Sequence, residues 1–399
     1  MRRRTVALSQ PPSRIAAVAL AAASILFLSF TMPWPQQTAR AAEPLVIARQ
    51  GWMFVGGAIE TERPGAPMVG HMYVEYQIPD KVEHPWPVVM IHGGSQTGTN
   101  FTGTPDGREG WAQYFLRRGY AVYVVDQVAR GRAAQWSQAN GPVTAADMTR
   151  LEQRFVAPER YNLWPQAHLH TQWPGTGSPG DQSFDQFYAS QFPSLVDFSL
   201  QQKLNRDAAV ALLDRIGPAV LLVHSQSGAF AWPIADKRPG LVKAIIAVEP
   251  NGPPVHDVEF KGAPEWFADN PRLKAYGLGD VPLTYDPPVG TAGLAFVRED
   301  QPQWPGAVRC WGQAEPARKL ANLQNTPIMV VTSEASYHAA YDHCTVRWLA
   351  QAGVKSTFVR LADVGIHGNG HMMMLEMNSD VIAGVLADWL ERTLRAGAP

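Results

Sequence analysis

The sequence predicts an α/β fold, a mostly parallel twisted sheet flanked by helices, with cap-like insertions at about residues 128–198 and 250–325. Three observations predict it. Continuous apolar runs recur along the chain, as expected for strands buried on both faces. Segments of helical periodicity separate them, so each strand–helix–strand passage implies a crossover and a parallel pair. The 399 residues are 46% hydrophobic and only 17% charged, enough to fill a sizeable core.

Residues 1–42 stand outside that fold. Arg2-Arg3-Arg4 and Arg14 form a basic leader, residues 15–32 run uncharged and mostly apolar, and Pro33 and Pro35 break the segment. Ala39-Arg40-Ala41 then supplies small residues at cleavage spacing, which completes a secretory signal peptide. The competing reading is an uncleaved membrane anchor, because the uncharged run approaches the length of a span. Cleavage would leave a secreted or periplasmic protein without a membrane segment. The paired arginines hint at twin-arginine export.

The elements of residues 43–399 follow in order. Trp52-Met53-Phe54-Val55 and residues 71–76 alternate and read as half-buried strands. Pro87-Val88-Val89-Met90-Ile91 is a buried strand that ends in a glycine loop. Residues 110–118 form a short amphipathic helix, and residues 121–126 the next strand. After the first insertion come a helix at 200–216, a strand at 219–224, a helix at 228–237 interrupted by Pro233, and a strand at 242–248. After the second come a strand at 327–331, a helix at 341–352, a strand at 357–361 and a closing helix at 380–394.

The insertions hold Trp136, Trp164, Trp173, Trp266, Trp304 and Trp311 in Pro/Gly-rich stretches. Loops of that length usually form lids or binding loops. Both follow the C-terminal ends of strands, where ligands bind in open α/β sheets. They read as a cap; a surface excursion, or contact with a second copy of the chain in a homodimer, is the alternative.

Net charge is −1 with no basic stripe, which argues against a nucleic-acid partner. Cys310 and Cys344 are the two cysteines; in an oxidising compartment they could bridge, or else remain buried thiols.

Val223-His224-Ser225-Gln226-Ser227-Gly228 sits between a buried strand and a helix, the context a nucleophile elbow needs. The serine there occupies a sharp strained turn, so its flanks must be small. With Val223 and Ser227 as flanks, the usual Gly-x-Ser-x-Gly is degenerate. Ser225 is the preferred nucleophile because His224 closes the strand directly before it. Ser227 is its competitor, and a serine N-cap on an ordinary turn is the bland alternative.

His92-Gly93-Gly94-Ser95 follows an earlier strand, where backbone N–H groups can face a developing oxyanion. Gly94 or Ser95 would supply one donor and Gln226 the other. After the last strand, Gly365-Ile366-His367-Gly368-Asn369-Gly370-His371-Met372 offers a general base. His371 is chosen because an apolar run follows it; His367 and Ser227 would line the site. A metal role is disfavoured, since three glycines make this segment a loop rather than a helix presenting both histidines. Two carboxylates could orient the imidazole: Glu249, closing strand 242–248, and Glu334, just past strand 327–331.

His92-Gly93…Thr97-Gly98, Thr104-Pro105-Asp106-Gly107-Arg108, Tyr123…Asp126-Gln127…Arg130-Gly131-Arg132, His224-Ser225-Gln226-Ser227-Gly228, Glu249-Pro250-Asn251-Gly252 and Gly368-Asn369-Gly370-His371 resemble a subfamily of secreted bacterial esterases of the α/β-hydrolase fold. The similarity extends over most of residues 43–399. It implies hydrolysis of a small-molecule ester through an acyl-enzyme on Ser225, with no cofactor. It also implies a triad acid after the strand that follows the nucleophile helix, which favours Glu249 over Glu334. One departure is Gly94-Ser95, where the subfamily can carry adjacent, mutually bridged cysteines. A lactone or amide hydrolase on the same triad, or a non-catalytic binding protein on a retained scaffold, are the rival readings.

Overall fold

The eight strands expected from the apolar runs pair into one sheet. The computed structural model describes residues 43–59, 65–133 and 135–396; the expected signal peptide, residues 1–42, lies outside them. The strands are β1 (Ile47–Ile59), β2 (Met68–Pro79), β3 (Val88–Ile91), β4 (Val122–Asp126), β5 (Ala219–His224), β6 (Val242–Val248), β7 (Ile328–Thr332) and β8 (Ser356–Arg360), in spatial order β1-β2-β4-β3-β5-β6-β7-β8. β2 runs antiparallel to both of its neighbours, and every pair from β4 to β8 is parallel. The C-terminal ends of β3 to β8 therefore share one edge of the sheet.

Successive side chains of a strand point to opposite faces, and the two cores separate accordingly. Val89, Ile91, Leu221, Val223, Ile245 and Val330 pack on one face. Val88, Met90, Leu222, Ile246 and Met329 pack on the other. The flanking helices are α1 (Trp111–Arg117), α2 (Phe198–Ile216), α3 (Gly228–Lys237), α4 (Asp342–Gln351) and α5 (Ser379–Ala396). α2, α3 and α4 cover the first face, through Leu212, Leu213, Phe230, Ile234, Trp348 and Leu349. α1 and α5 cover the second, through Phe115, Leu116, Ile382, Leu386 and Leu390. α3 stays one helix through Pro233, contrary to the interruption expected there. Residues 228–236 are all buried, and that packing offsets the hydrogen bond that proline removes.

The first insertion, residues 127–197, is mostly short turns and single-turn helices, including a π-helical turn at Glu152–Val156, with a longer helix at Gln182–Ala189. The second, residues 249–327, is more ordered than its Pro/Gly content suggests. His256–Phe260 pairs with Phe267–Leu273, Tyr285–Asp286 with Lys319–Leu320, and Phe296–Arg298 with Trp311–Gln313, all antiparallel. Cys310 and Cys344 form a disulfide that ties this insertion to α4. No helix among the described residues is long and apolar enough to cross a membrane.

Candidate active site

β5 ends at His224 and the chain turns at once into α3. Ser225 stands at the turn with φ 54°, a conformation few non-glycine residues adopt. The strain holds because the surroundings leave no alternative. Asn251 N–H donates to the Ser225 carbonyl at 2.7 Å. A Cβ at Gly228 would collide with Pro250, so only glycine lets Glu249-Pro250-Asn251 pack against the elbow. Ser227, the competing nucleophile and expected lining residue, takes neither role in this geometry. It is fully buried; its Oγ donates to the Ile91 carbonyl at 2.7 Å and accepts the His224 N–H at 2.9 Å. It braces the elbow from beneath.

Ser225 Oγ donates to His371 Nε2 at 3.0 Å, and His371 Nδ1 donates to Glu249 Oε2 at 2.5 Å. Both the imidazole and the carboxylate are buried. Glu249 leaves β6 with φ 44° and is held on every side. Ser333 N–H and Oγ donate to its Oε1 at 2.9 and 2.5 Å, and Ser336 Oγ donates to its Oε2 at 2.7 Å. Burial pushes the Glu249 carboxyl above its ordinary range, opposed by His338 and these serines. Burial also holds the His371 imidazole well below its ordinary value, with His338, Arg150 and Arg154 adding to the effect. A neutral imidazole able to take the serine proton is what such an arrangement provides.

The other candidate acid sits elsewhere. Glu334 accepts from His367 Nδ1 at 3.1 Å and from Gly368 N–H at 2.9 Å, whereas the His371 ring bonds to Glu249 and Ser225. His367 itself is exposed, so it pairs with Glu334 outside the site instead of lining it.

The glycine loop after β3 lies against the elbow. A Cβ at Gly93 would come within 3.0 Å of Ser225 Cβ and His224 Nδ1, so a side chain there would crowd Ser225. His92, neutral because burial lowers it to about 3, donates from Nδ1 to the Gly93 carbonyl and accepts Gln127 N–H on Nε2. Ser95 drops out as an oxyanion donor: its N–H is already committed to Ser194 Oγ at 3.0 Å. Gly94 and Gln226 remain.

Sequence reasoning missed the supports of His371. His224 Nε2 donates to the His371 carbonyl at 3.0 Å. His338 stacks on the His371 ring at 4.8 Å and donates from Nδ1 to Asp342 at 2.8 Å. Phe155 and Tyr337 approach the same ring at 5.1 and 4.8 Å. On the far side of Gly370, His170 donates from both ring nitrogens, to Glu159 at 2.9 Å and Glu376 at 2.8 Å. Glu376 in turn accepts the Gly370 N–H beside His371. Arg108, from the Thr104–Arg108 motif, donates to the carbonyls of Leu375 and Met377 and fixes the chain beyond. A lone histidine in an irregular stretch gave no signal of these pairings.

Ligand-type atoms of Glu249, His338 and His371 converge within 4.8 Å, the set near the elbow that could in principle hold a metal ion. Each already has hydrogen-bond partners that account for it, which is the pattern of an acid–base network.

A model of the alpha/beta hydrolase family matches residues 88–385. Among curated proteins, the chain is 43% identical over 326 residues to "Probable secreted lipase phiG" of Fungal sp. (strain ATCC 74256), covering 80% of this chain and 86% of the relative. Among solved structures, it is similar to a bacterial esterase determined at atomic resolution: 26% identity, TM-score 0.56, 88% of this chain and 98% of the other.

Proposed function

The chain belongs to the alpha/beta hydrolase family, and from that premise we propose that it hydrolyses carboxylic esters through an acyl-enzyme on Ser225. One observation carries the reading: the unbroken hydrogen-bond chain from Ser225 Oγ through His371 to Glu249 at the C-terminal edge of the sheet. His371 takes the Ser225 proton as Oγ attacks the ester carbonyl, and Glu249 stabilises the imidazolium that results. The Gly94 and Gln226 N–H groups receive the negative charge of the tetrahedral intermediate. Collapse expels the alcohol with the proton from His371. Water, deprotonated by the same imidazole, then attacks the acyl-enzyme and frees the acid.

The two insertions serve as the cap. Phe155 from the first lies against His371; Phe260 from the second packs on Tyr337 at 5.5 Å and Trp164 at 5.6 Å. Rings so close to the nucleophile suit an apolar acyl or alcohol group. The relative is named a probable secreted lipase, and the leader expected in residues 1–42 fits export with removal of the leader.

Hydrolysis of p-nitrophenyl acetate and butyrate by the chain lacking that leader tests the reading, beside Ser225→Ala and Ser227→Ala. Activity should vanish with Ser225 and survive at Ser227. Folded wild type inert to both esters and to an ester-mimicking phosphonate would instead point to a binding protein.

A further inference from the structure

A buried guanidinium ordinarily pairs with a carboxylate, and among the described residues none lies within ion-pair distance of Arg130. It lies in the turn after β4, within Arg130-Gly131-Arg132. Gly131 adopts φ 55°, where a Cβ would meet Asp126 Oδ2 at 2.6 Å. That left-handed turn sends its two neighbours apart. Arg132 returns to Asp126 at 2.7 Å and lies over the Tyr73 ring. Arg130 goes inward and is only 4% exposed. Its Nη1 donates to the Gly93 carbonyl at 2.9 Å and its Nη2 to Gln226 Oε1 at 3.3 Å, while Nε has no partner. Burial draws the guanidinium down to about 9, with Asp126 opposing through space, so it stays charged at neutral pH.

Both of its acceptors belong to the candidate oxyanion hole. The Gly93 carbonyl and the Gly94 N–H share one planar trans peptide unit, so fixing the carbonyl fixes the opposite direction of the N–H. A cation on the carbonyl also polarises that unit and strengthens its donor. Gln226 is the residue that supplies the second N–H. A buried charge left without a counter-ion is costly, and fixed dipoles offset only part of that cost. The one negative charge that would form beside these groups is that of the tetrahedral intermediate.

We propose that Arg130 is a positioning residue of the oxyanion hole: its fork holds the Gly93 peptide and the Gln226 side chain in one unit, and the oxyanion supplies a negative charge close to the guanidinium, where no carboxylate of the described residues makes direct contact. The inference rests on the acyl-transfer reading above.

The test measures kcat and KM for p-nitrophenyl butyrate, and Ki for an aryl trifluoromethyl ketone whose serine adduct is an oxyanion, in Arg130→Met, Arg130→Lys and Gln226→Leu. Arg130→Met should lose about 10²-fold in kcat with KM within about twofold, and Ki should rise by a similar factor. Arg130→Lys should recover about tenfold of that loss, because it restores the charge without the fork. A kcat within about threefold of wild type overturns the proposal, as does a loss confined to KM, which would assign Arg130 to ground-state substrate binding. Should near-UV circular dichroism show Arg130→Met unfolded, Gln226→Leu decides. It keeps the charge and severs one tether, so about a tenfold loss in kcat at constant KM is expected, and wild-type kcat overturns the proposal. Ser225→Ala measured alongside separates the two readings. If it is as active as wild type, acyl transfer on Ser225 itself fails; if it is inactive while the Arg130 variants are normal, only the present inference fails.

Discussion

The loop of residues 365–371 carries the histidines of two histidine–glutamate pairs, and the pairs could hardly differ more. His371 and Glu249 are 1% and 0% exposed, and the carboxylate takes its full set of donors from Ser333, Ser336 and the imidazole. His367 and Glu334 are 61% and 23% exposed, with water able to compete for every contact. The residue types are the same and each pair holds one hydrogen bond. Solvent screens the outer pair to little net worth. The inner pair sits where electrostatic and hydrogen-bond terms act at close to full strength. Environment, more than identity, separates the proposed reacting couple from a surface clasp. The outer pair still contributes, because Glu334 also accepts Gly368 N–H and so pins the loop that presents His371.

The comparison breaks most directly by removing each carboxylate in turn. Glu249→Gln should lower kcat about 10⁴-fold, the scale expected when a triad acid can no longer orient and stabilise the imidazole. Glu334→Gln should stay within about threefold in the same ester assay. Equal losses would erase the distinction.

A third pair asks how far burial alone decides. His170 is buried like His371, yet it donates to two carboxylates. Burial works against its charge, but the bonds to Glu159 and Glu376 prevail and raise it to about 9. A folded value above the unfolded one means stability fully present below about pH 6.5 and lost as pH rises through about 9. Roughly 3 kcal/mol is at stake. Urea unfolding at pH 6 and pH 10 should show that decline in wild type and a flatter profile in His170→Gln.

The pH dependence of turnover sharpens the inner pair. On the proposed mechanism the neutral imidazole is the active base, and burial lowers His371, so kcat/KM should hold as pH falls through 6.5 and decline only below it. At pH 5.5 an unshifted histidine would retain about a tenth of its activity. An acid limb at or above 6.5 would mean that the Glu249 charge outweighs burial. The smallest effect belongs to His367→Ala. It should change stability by less than about 1 kcal/mol and leave the acid limb where it was.

Much of this was legible beforehand. Val88, Leu222 and Ile246 announce buried strands because parallel sheets covered on both faces read as apolar runs. Ser225 sits at a strand end and His371 in the loop after the last strand, an order the pattern itself supplies. Glu249 and Glu334 were indistinguishable on local grounds, both being carboxylates at strand ends; only the resemblance ranked them. Ser95 misled because its N–H is taken by Ser194, 99 residues away. Ser227 misled because its Oγ turns inward to Ile91. His170, His338 and the ribbons of the second insertion depend on partners distant in sequence, and a single chain read locally carries no trace of them. Arg130 did leave a signal, a Gly between two arginines, without any indication of which one turns inward.

The proposed general base, His371, follows the last strand, and 146 residues separate it from the serine it would activate. During synthesis the nucleophile and its elbow leave the ribosome long before the histidine does. β8 must join the edge of the sheet, and the glycine loop must close over His224, before the proton acceptor is in place. A nascent or C-terminally clipped chain would therefore carry an intact-looking serine turn and remain chemically silent. On the proposed mechanism, completion of the polypeptide would itself be the activating event.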